Sequence, residues 1–237
     1  MEPISRDLSH THFNNRLKSI LLLLFVCNQI SAKSIPGYFI NNAGESLNVD
    51  FKIPIVDKYY IDFIKIQQNI KCETANGEKL KLTPEDAKKV VFDFRDQTIV
   101  LVSMANTLKL KAINSVKESI FLVQLSDSPI INSYLFFKGT GTSNLAAHGE
   151  SFSSKKAPRR NVLKITEPVA KINFEGNTKY IFQKANGELF MPTKQTFDTD
   201  LAEFMKDCPE VSQFLKDVNL KKYQVSEIVA RYVGCVE

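Results

Sequence analysis

An alternation of apolar and polar residues is the sequence feature that most restricts how this chain can fold. It is clearest from Leu47 to Ile55, where every second residue is apolar. Because successive side chains of a strand point to opposite faces, this pattern predicts a strand with one buried face. Similar segments, separated by turn signals, recur between residues 37 and 137 and predict about six to nine strands. Strands at this spacing are typical of an antiparallel barrel, roll or sandwich.

Two hairpins carry the same four residues at their turns. Ala-Asn-Gly-Glu occurs at 75–78 and again at 185–188, each time between predicted strands and shortly before a proline, Pro84 or Pro192. Asn-Gly predicts a type I′ turn, since both central positions of that turn need positive φ. Duplication of a hairpin unit explains the repetition, and so does the frequency of Asn-Gly in short hairpins. After the first hairpin, Thr83 and Pro84 predict a brief helix.

After Pro192 the apolar period becomes helical. Asp200 and Glu203 have the spacing of a capping box, Pro209 starts a second helical segment, and Ser226 caps a third. The sequence therefore predicts an α+β fold, with an antiparallel β-rich body followed by a short C-terminal three-helix segment.

The N-terminal segment has the composition of a secretory signal. Arg16 and Lys18 precede an apolar run at 20–27, and Ile-Ser-Ala follows at 30–32. A positive flank, a short apolar run and a small residue before the cut predict a signal peptide at residues 1–32 and a mature chain beginning near Lys33. A buried core helix is the alternative. The run is shorter than the roughly 20 residues of a spanning helix, so we predict no transmembrane segment after cleavage.

Export would place three cysteines in an oxidising compartment, where cysteines tend to pair. Cys208 starts one predicted helix, and Cys235 ends another that begins near Ser226. Helices of about ten residues each, if antiparallel, bring both cysteines to the same level. We therefore predict a Cys208–Cys235 disulfide and a buried thiol at Cys72, with three free thiols as the alternative.

The segment 138–161 differs from its neighbours in composition. It is rich in Gly, Ser and Thr and predicts a flexible basic loop between a β-rich region at 33–137 and the hairpins and helices of 162–237, which we expect to pack on the same domain. Its cations are Lys155, Lys156, Arg159 and Arg160. They predict either contact with an anionic lipid or polysaccharide, or a solvated, protease-sensitive loop. The net charge of +5 is too small and too scattered to predict nucleic acid as a partner.

Histidine is too scarce for the common catalytic and metal sites. His10 and His12 lie in the predicted signal, which leaves His148 in the predicted loop. Ser-His-Asp and Cys-His systems need a rigidly held base, and zinc needs three or four ligands with suitable spacing. We therefore predict no catalytic residue, no metal site and no cofactor.

Carboxylate pairs are the remaining catalytic candidates. Asp93 with Asp96, or Asp198 with Asp200, would suit a carboxylate-dependent glycan hydrolase, whereas roles in a turn and a helix cap are the simpler interpretation. The 17 Phe residues could instead line the cavity of a carrier for a small apolar ligand. The sequence favours a non-enzymatic envelope protein, in the periplasm or at the cell surface or beyond, that binds another envelope protein or a surface polymer.

Several short segments are similar to a family of small exported proteins of Gram-negative bacteria. The matching segments are Gly37–Glu45, Asn76–Glu78, Leu82–Asp86, Phe92–Phe94, Asp207–Pro209 and Cys235. The resemblance implies export and a β-rich fold, but it brings no activity and no ligand. The basic insert at 155–160 departs from the family pattern.

Overall fold

The computed structural model describes residues 33–55, 60–95, 97–111, 116–138, 163–164, 178–217 and 225–237. Several sequence predictions lie outside these residues. They concern the signal at 1–32, Asp96, His148 and the cluster of Lys155, Lys156, Arg159 and Arg160.

The described residues form twelve strands and four helices. The strands are β1 Lys33–Asn41, β2 Ser46–Ile53, β3 Tyr60–Ile61, β4 Ile70–Thr74, β5 Lys79–Leu82, β6 Ala87–Phe94, β7 Gln97–Ala105, β8 Ser119–Ser126, β9 Ile131–Phe137, β10 Leu163–Lys164, β11 Thr178–Lys184 and β12 Leu189–Phe190. The helices are α1 Phe63–Ile66, α2 Phe197–Phe204, α3 Pro209–Asp217 and α4 Val225–Val236.

Ten of the strands form one antiparallel sheet, in the order β12-β11-β9-β8-β7-β6-β1-β2-β4-β5. The other two, β3 and β10, pair with each other. With α2, α3 and α4 following the last strand, the predicted α+β fold is confirmed.

The sheet has an internal two-fold arrangement about its central β6–β7 hairpin. On one side the hairpin β1–β2 is followed by β4–β5, and on the other the hairpin β8–β9 is followed by β11–β12. In each half the second hairpin ends at an edge of the sheet, and the connections between the hairpins contain β3 and β10. The two Ala-Asn-Gly-Glu turns thus occupy equivalent places, which favours duplication of a four-stranded unit.

The predicted type I′ turns are wrong. At 75–77 the Gly77 amide donates to the Thr74 carbonyl at 2.9 Å, and the Thr74 amide donates to the Glu78 carbonyl at 2.9 Å. Only the glycine has positive φ, at 80°. This is a three-residue loop, a type I turn followed by a left-handed glycine, in which the asparagine keeps an ordinary backbone conformation. Gly187 makes the same turn between Lys184 and Glu188.

The brief helix predicted after β5 is also wrong. The amide and hydroxyl of Thr83 both donate to Asp86 Oδ2, at 2.8 and 2.7 Å, and the Asp86 amide donates back to the Thr83 carbonyl at 3.0 Å. Since β6 begins at Ala87, the chain has room for a single turn only.

The predicted capping box between Asp200 and Glu203 is also wrong. Helix α2 begins at Phe197 with Thr196 as its N-cap residue, so Asp200 lies inside the helix. Its carboxylate instead accepts hydrogen bonds from the Thr193 amide at 3.1 Å and the Thr196 hydroxyl at 2.5 Å. Asp200 therefore holds the turn that precedes the helix.

One face of the sheet packs against all four helices to form the main core. Phe63 of α1 stacks on Phe137 of β9 with ring centroids 4.6 Å apart, and Phe197 of α2 meets Tyr180 of β11 edge-on at 5.5 Å. Buried Gln67 follows α1, where its side chain donates to the Phe137 carbonyl at 2.9 Å and accepts from the Phe137 amide at 2.7 Å. A short helix is thereby fastened to β9, the third strand from one edge of the sheet.

Gly37 on β1 marks a very close approach between strands. A Cβ atom at this position would lie 2.3 Å from the Val91 carbonyl oxygen and 2.9 Å from Cε2 of the Phe51 ring. Real contacts of that length do not occur, so only glycine fits between β6 and the buried ring.

The Cys208–Cys235 disulfide is confirmed. The two cysteines are bonded with their Cα atoms 6.0 Å apart, joining the residue before α3 to the last turn of α4. Cys208 is fully buried, whereas Cys235 is exposed. Cys72 on β4 is a free, buried cysteine, and burial raises the pKa of its thiol.

Candidate functional site

Four lysines share the face of β2, β4 and β5 that is turned away from the core. We call them the lysine face: Lys52, Lys71, Lys79 and Lys81. They alternate with Phe51, Cys72 and Leu80, which pack in the main core. The face is therefore fixed by strand alternation, since turning the lysines inward would expose the core residues.

The strand register places three of these lysines directly opposite one another. Lys52 on β2 faces Lys71 on β4, and Lys71 faces Lys81 on β5. Like charges directly opposite on neighbouring strands are destabilising. The adjacent row runs from Asp50 through Glu73 and also ends in a lysine, Lys79.

Little in the described part of the chain compensates these charges. Lys52 lies 3.4 Å from Glu73 and donates a hydrogen bond to the Ser34 hydroxyl at 3.2 Å. The other three lysines are exposed, and no described carboxylate lies within 4.0 Å of their ammonium groups. The face thus presents a net positive charge to the solvent, with four lysines against Asp50 and Glu73, and Glu73 lies opposite Lys79.

The equivalent hairpin shows that the fold itself does not require lysine at these positions. When the two Ala-Asn-Gly-Glu turns are aligned, Lys71, Lys79 and Lys81 correspond to Ile181, Leu189 and Met191. Those three apolar residues belong to a second apolar cluster, in which Leu108 and Leu110 also pack. The same topological positions therefore hold a covered apolar surface in one half and a bare cationic surface in the other.

Protection of the sheet edge accounts for only part of the lysine face. Lysines on an edge strand oppose unwanted strand pairing, and Lys79 and Lys81 lie on β5, the last strand in the order. Lys71 and Lys52 lie on the two strands behind it, where edge protection gives no reason for a lysine.

A second charged cluster joins the sheet to the helices. Asp207 Oδ2 accepts a hydrogen bond from the Tyr232 hydroxyl at 2.6 Å and lies 3.0 Å from Lys184 Nζ. The Lys184 ammonium also lies 4.8 Å from the centre of the Phe204 ring. The cluster ties the end of β11 to α4, next to the disulfide, and its role is structural.

The pKa values of this cluster reflect mutual stabilisation. Burial alone would raise the pKa of Asp207, but hydrogen bonds from Tyr232 and Lys184 and the lysine charge lower it. Burial opposes the charge of Lys184, but the hydrogen bonds and charges of Asp207 and Tyr232 prevail and raise its pKa. Burial, followed by the hydrogen bond to Asp207, raises the pKa of Tyr232.

Two of the carboxylates singled out in the sequence, Asp93 and Asp200, hold turns. Asp93 accepts a hydrogen bond from the Thr98 hydroxyl at 2.7 Å across the β6–β7 hairpin. Hydrogen bonds from Thr196 and Thr193 lower the pKa of Asp200, the opposite of the raised pKa that a general acid needs. In the described ranges no three His, Cys, Asp or Glu side chains come together as metal ligands.

A shallow dent lies on the second apolar cluster, between Met104, Leu108, Leu110 and Leu189. Its empty space is about 180 Å³ including open solvent, and it cannot enclose a water molecule. Sites for small ligands usually hold roughly 300–1,000 Å³, so this dent is not suited to a carrier function.

Comparison with known proteins adds no assignment, since no protein-family model, curated protein or solved structure matches this chain. None of the described helices is both long and apolar enough to cross a membrane. The sequence did not predict the lysine face. Alternating Lys and Leu at 79–82 was its visible signal, but only the strand register brings Lys52 and Lys71 beside it.

Proposed function

We propose that this chain is an exported, non-enzymatic protein of the Gram-negative cell envelope that binds an anionic macromolecule through its lysine face. The observation that carries the proposal is the row Lys52, Lys71 and Lys81, three cations held opposite one another by the strand register. An anionic partner would turn that unfavourable arrangement into a favourable one.

The expected contribution of the face to binding is substantial. Each lysine near an anionic surface adds about 1 kcal/mol, so Lys71 and Lys81, together with Lys79 opposite Glu73, would add at most about 3 kcal/mol. That corresponds to an affinity gain of roughly a hundredfold, which salt would reduce.

Four features support export to the periplasm, the cell surface or the medium. Residues 1–32 have the pattern of a signal peptide, and the chain resembles a family of exported proteins. The Cys208–Cys235 disulfide suits an oxidising compartment. Strand β1 begins at Lys33, so cleavage after Ala32 would leave the strand whole and add an amino-terminal charge one residue from Ser34, the neighbour of Lys52.

Site-specific crosslinking in intact cells tests the binding surface. A photoreactive residue replaces either Lys71, on the lysine face, or Lys216, an exposed lysine on α3. We expect a macromolecular adduct from position 71 and none from position 216. Equal adducts from both positions would contradict the proposal.

A matched pair of charge variants completes that test. In one variant Lys52, Lys71, Lys79 and Lys81 become Gln, and in the control the same change is made at the exposed lysines Lys111, Lys117, Lys194 and Lys216. Both lose the same net charge. With the photoreactive residue placed at Ser34, we expect only the first variant to lose the crosslinked adduct. Loss of the adduct in both variants would show that binding depends on overall charge and not on the lysine face.

Export has its own test, which is independent of binding. Protein recovered from the envelope or the medium should begin at or near Lys33 on N-terminal sequencing. A recovered chain that keeps the apolar run at 21–26 would refute cleavage.

A further inference from the structure

The free side of β5 is the part of the lysine face best suited to holding a partner. In the described strands β5 has a neighbour on one side only, β4. The backbone N–H and C=O groups on its other side can pair with an added strand. A partner bound there would gain main-chain hydrogen bonds besides the charge of the face.

The two surfaces of β5 differ in chemistry. Lys79 and Lys81 are exposed on the outer surface, whereas Leu80 is half-buried and Leu82 is buried against the core. Because side chains alternate along a strand, an added strand would place every second residue beside the lysines and the residues between beside the leucines.

We propose that the partner is a protein with an acidic, extended segment, which adds to β5 as a further strand of the sheet. Asp or Glu at alternate positions lies beside Lys79 and Lys81, and an apolar residue between them covers Leu80. This inference rests on the proposed function and narrows its anionic partner to one class. Because β5 is four residues long, the paired segment is about as short.

Charge excludes a second copy of this chain at the same edge. Pairing β5 with itself would set Lys79 and Lys81 beside other lysines, which repel. An acidic strand would instead place a carboxylate beside the lysine that ends each row of the outer surface, Lys81 in one row and Lys79 in the other.

An acidic peptide also fits the edge better than an anionic polysaccharide does. A peptide backbone carries donors and acceptors at the spacing of the open edge, and an apolar side chain can cover half-buried Leu80. A polysaccharide matches the lysines but offers neither of these contacts.

Two peptides of identical composition separate strand addition from charge attraction. One alternates Glu and Val over nine residues with blocked ends, and the other groups all Glu before all Val. Binding to the full mature chain is measured by fluorescence anisotropy at low salt. We expect the alternating peptide to bind about tenfold more tightly, and equal binding of the two overturns the inference.

Charge reversal on the edge gives a second, independent readout. In the variant Lys79→Glu with Lys81→Glu, the alternating Glu peptide should lose about tenfold in affinity, and a Lys-Val peptide should gain by a similar factor. The control reverses two exposed lysines away from the edge, Lys111→Glu with Lys117→Glu, and should change neither peptide by more than about twofold. An unchanged preference in the edge variant overturns the inference.

Amide hydrogen exchange locates the added strand. On binding the alternating peptide, amides within Lys79–Leu82 should become protected, and unchanged exchange across β5 is evidence against strand addition.

A polysaccharide arm separates failure of this inference from failure of the proposed function. Polygalacturonate is titrated into the chain and into the lysine-face Gln variant. If the polymer binds through the lysine face while the two peptides bind equally, the proposed function stands and strand addition is wrong. If neutralising the face changes neither polymer nor peptide binding, both proposals fail.

Discussion

Removing the Cys208–Cys235 disulfide should destabilise the protein by an amount that follows from the length of loop it closes. The two cysteines are 27 positions apart. In the chain-entropy model, closing a loop of that length stabilises the folded state by about 3.5 kcal/mol, because the unfolded chain loses freedom. For a chain of this size the loss corresponds to a fall in Tm of roughly 7–14 °C.

The assay compares the wild type with the double variant Cys208→Ala and Cys235→Ala in urea and thermal unfolding. Changing both residues avoids leaving a lone thiol, which matters because Cys208 is fully buried. We expect a lower urea midpoint together with a steeper dependence on urea, since the unfolded chain without the bridge exposes more surface.

Reductant supplies the internal control. It should lower the midpoint of the wild type by a similar amount and leave the double variant unchanged. Mapping of the oxidised wild type should show Cys72 as the free thiol, protected from alkylation until the chain unfolds. Equal midpoints for wild type and double variant, or alkylation of all three thiols without reductant, would refute the reasoning.

Two further predictions concern packing and charge. Gly37→Ala should lower the free energy of unfolding by about 2–3 kcal/mol, because the added Cβ would overlap a neighbouring strand. Gly234→Ala, in open space on α4, should raise it by about 0.5–1 kcal/mol. Equal stabilities of the two variants in urea unfolding would contradict this reasoning. Asp207→Asn should cost roughly 1 kcal/mol at pH 7, given the partial exposure of Asp207. Because folding lowers the pKa of Asp207, its contribution is complete above the unfolded value of about 3.9 and is lost as the pH falls through the folded value. Unfolding curves of wild type and Asp207→Asn should therefore converge below about pH 4, and a gap that widens there would count against the cluster.

Local periodicity was enough to predict the elements that depend on few neighbours. Alternation around Val49 and Phe51 identified a half-buried strand, since a strand exposing both faces would not need it. Helical spacing near the C-terminus placed Cys208 at the start of one helix and Cys235 at the end of another. In an antiparallel pair of helices these two ends lie side by side, and the disulfide joins them.

Element boundaries and turn types were less predictable, because alternative local conformations have similar free energies. Asn76-Gly77 suits both a type I′ turn and a three-residue loop, and the strand pairing on either side selects the loop. In the same way Asp200 can cap a helix from outside, but Thr196 takes that position and draws Asp200 into the first turns.

The sequence by itself determined the buried face of the strand around Val49 and Phe51, the α+β class and the pairing of two cysteines, because these depend on spacing along the chain. Only the tertiary structure decided that Lys52, Lys71 and Lys81 stand in one row. Their positions along the chain carry no sign of it, since the row exists only across three strands whose register is set by the burial of Phe51, Cys72 and Leu80 on the opposite face.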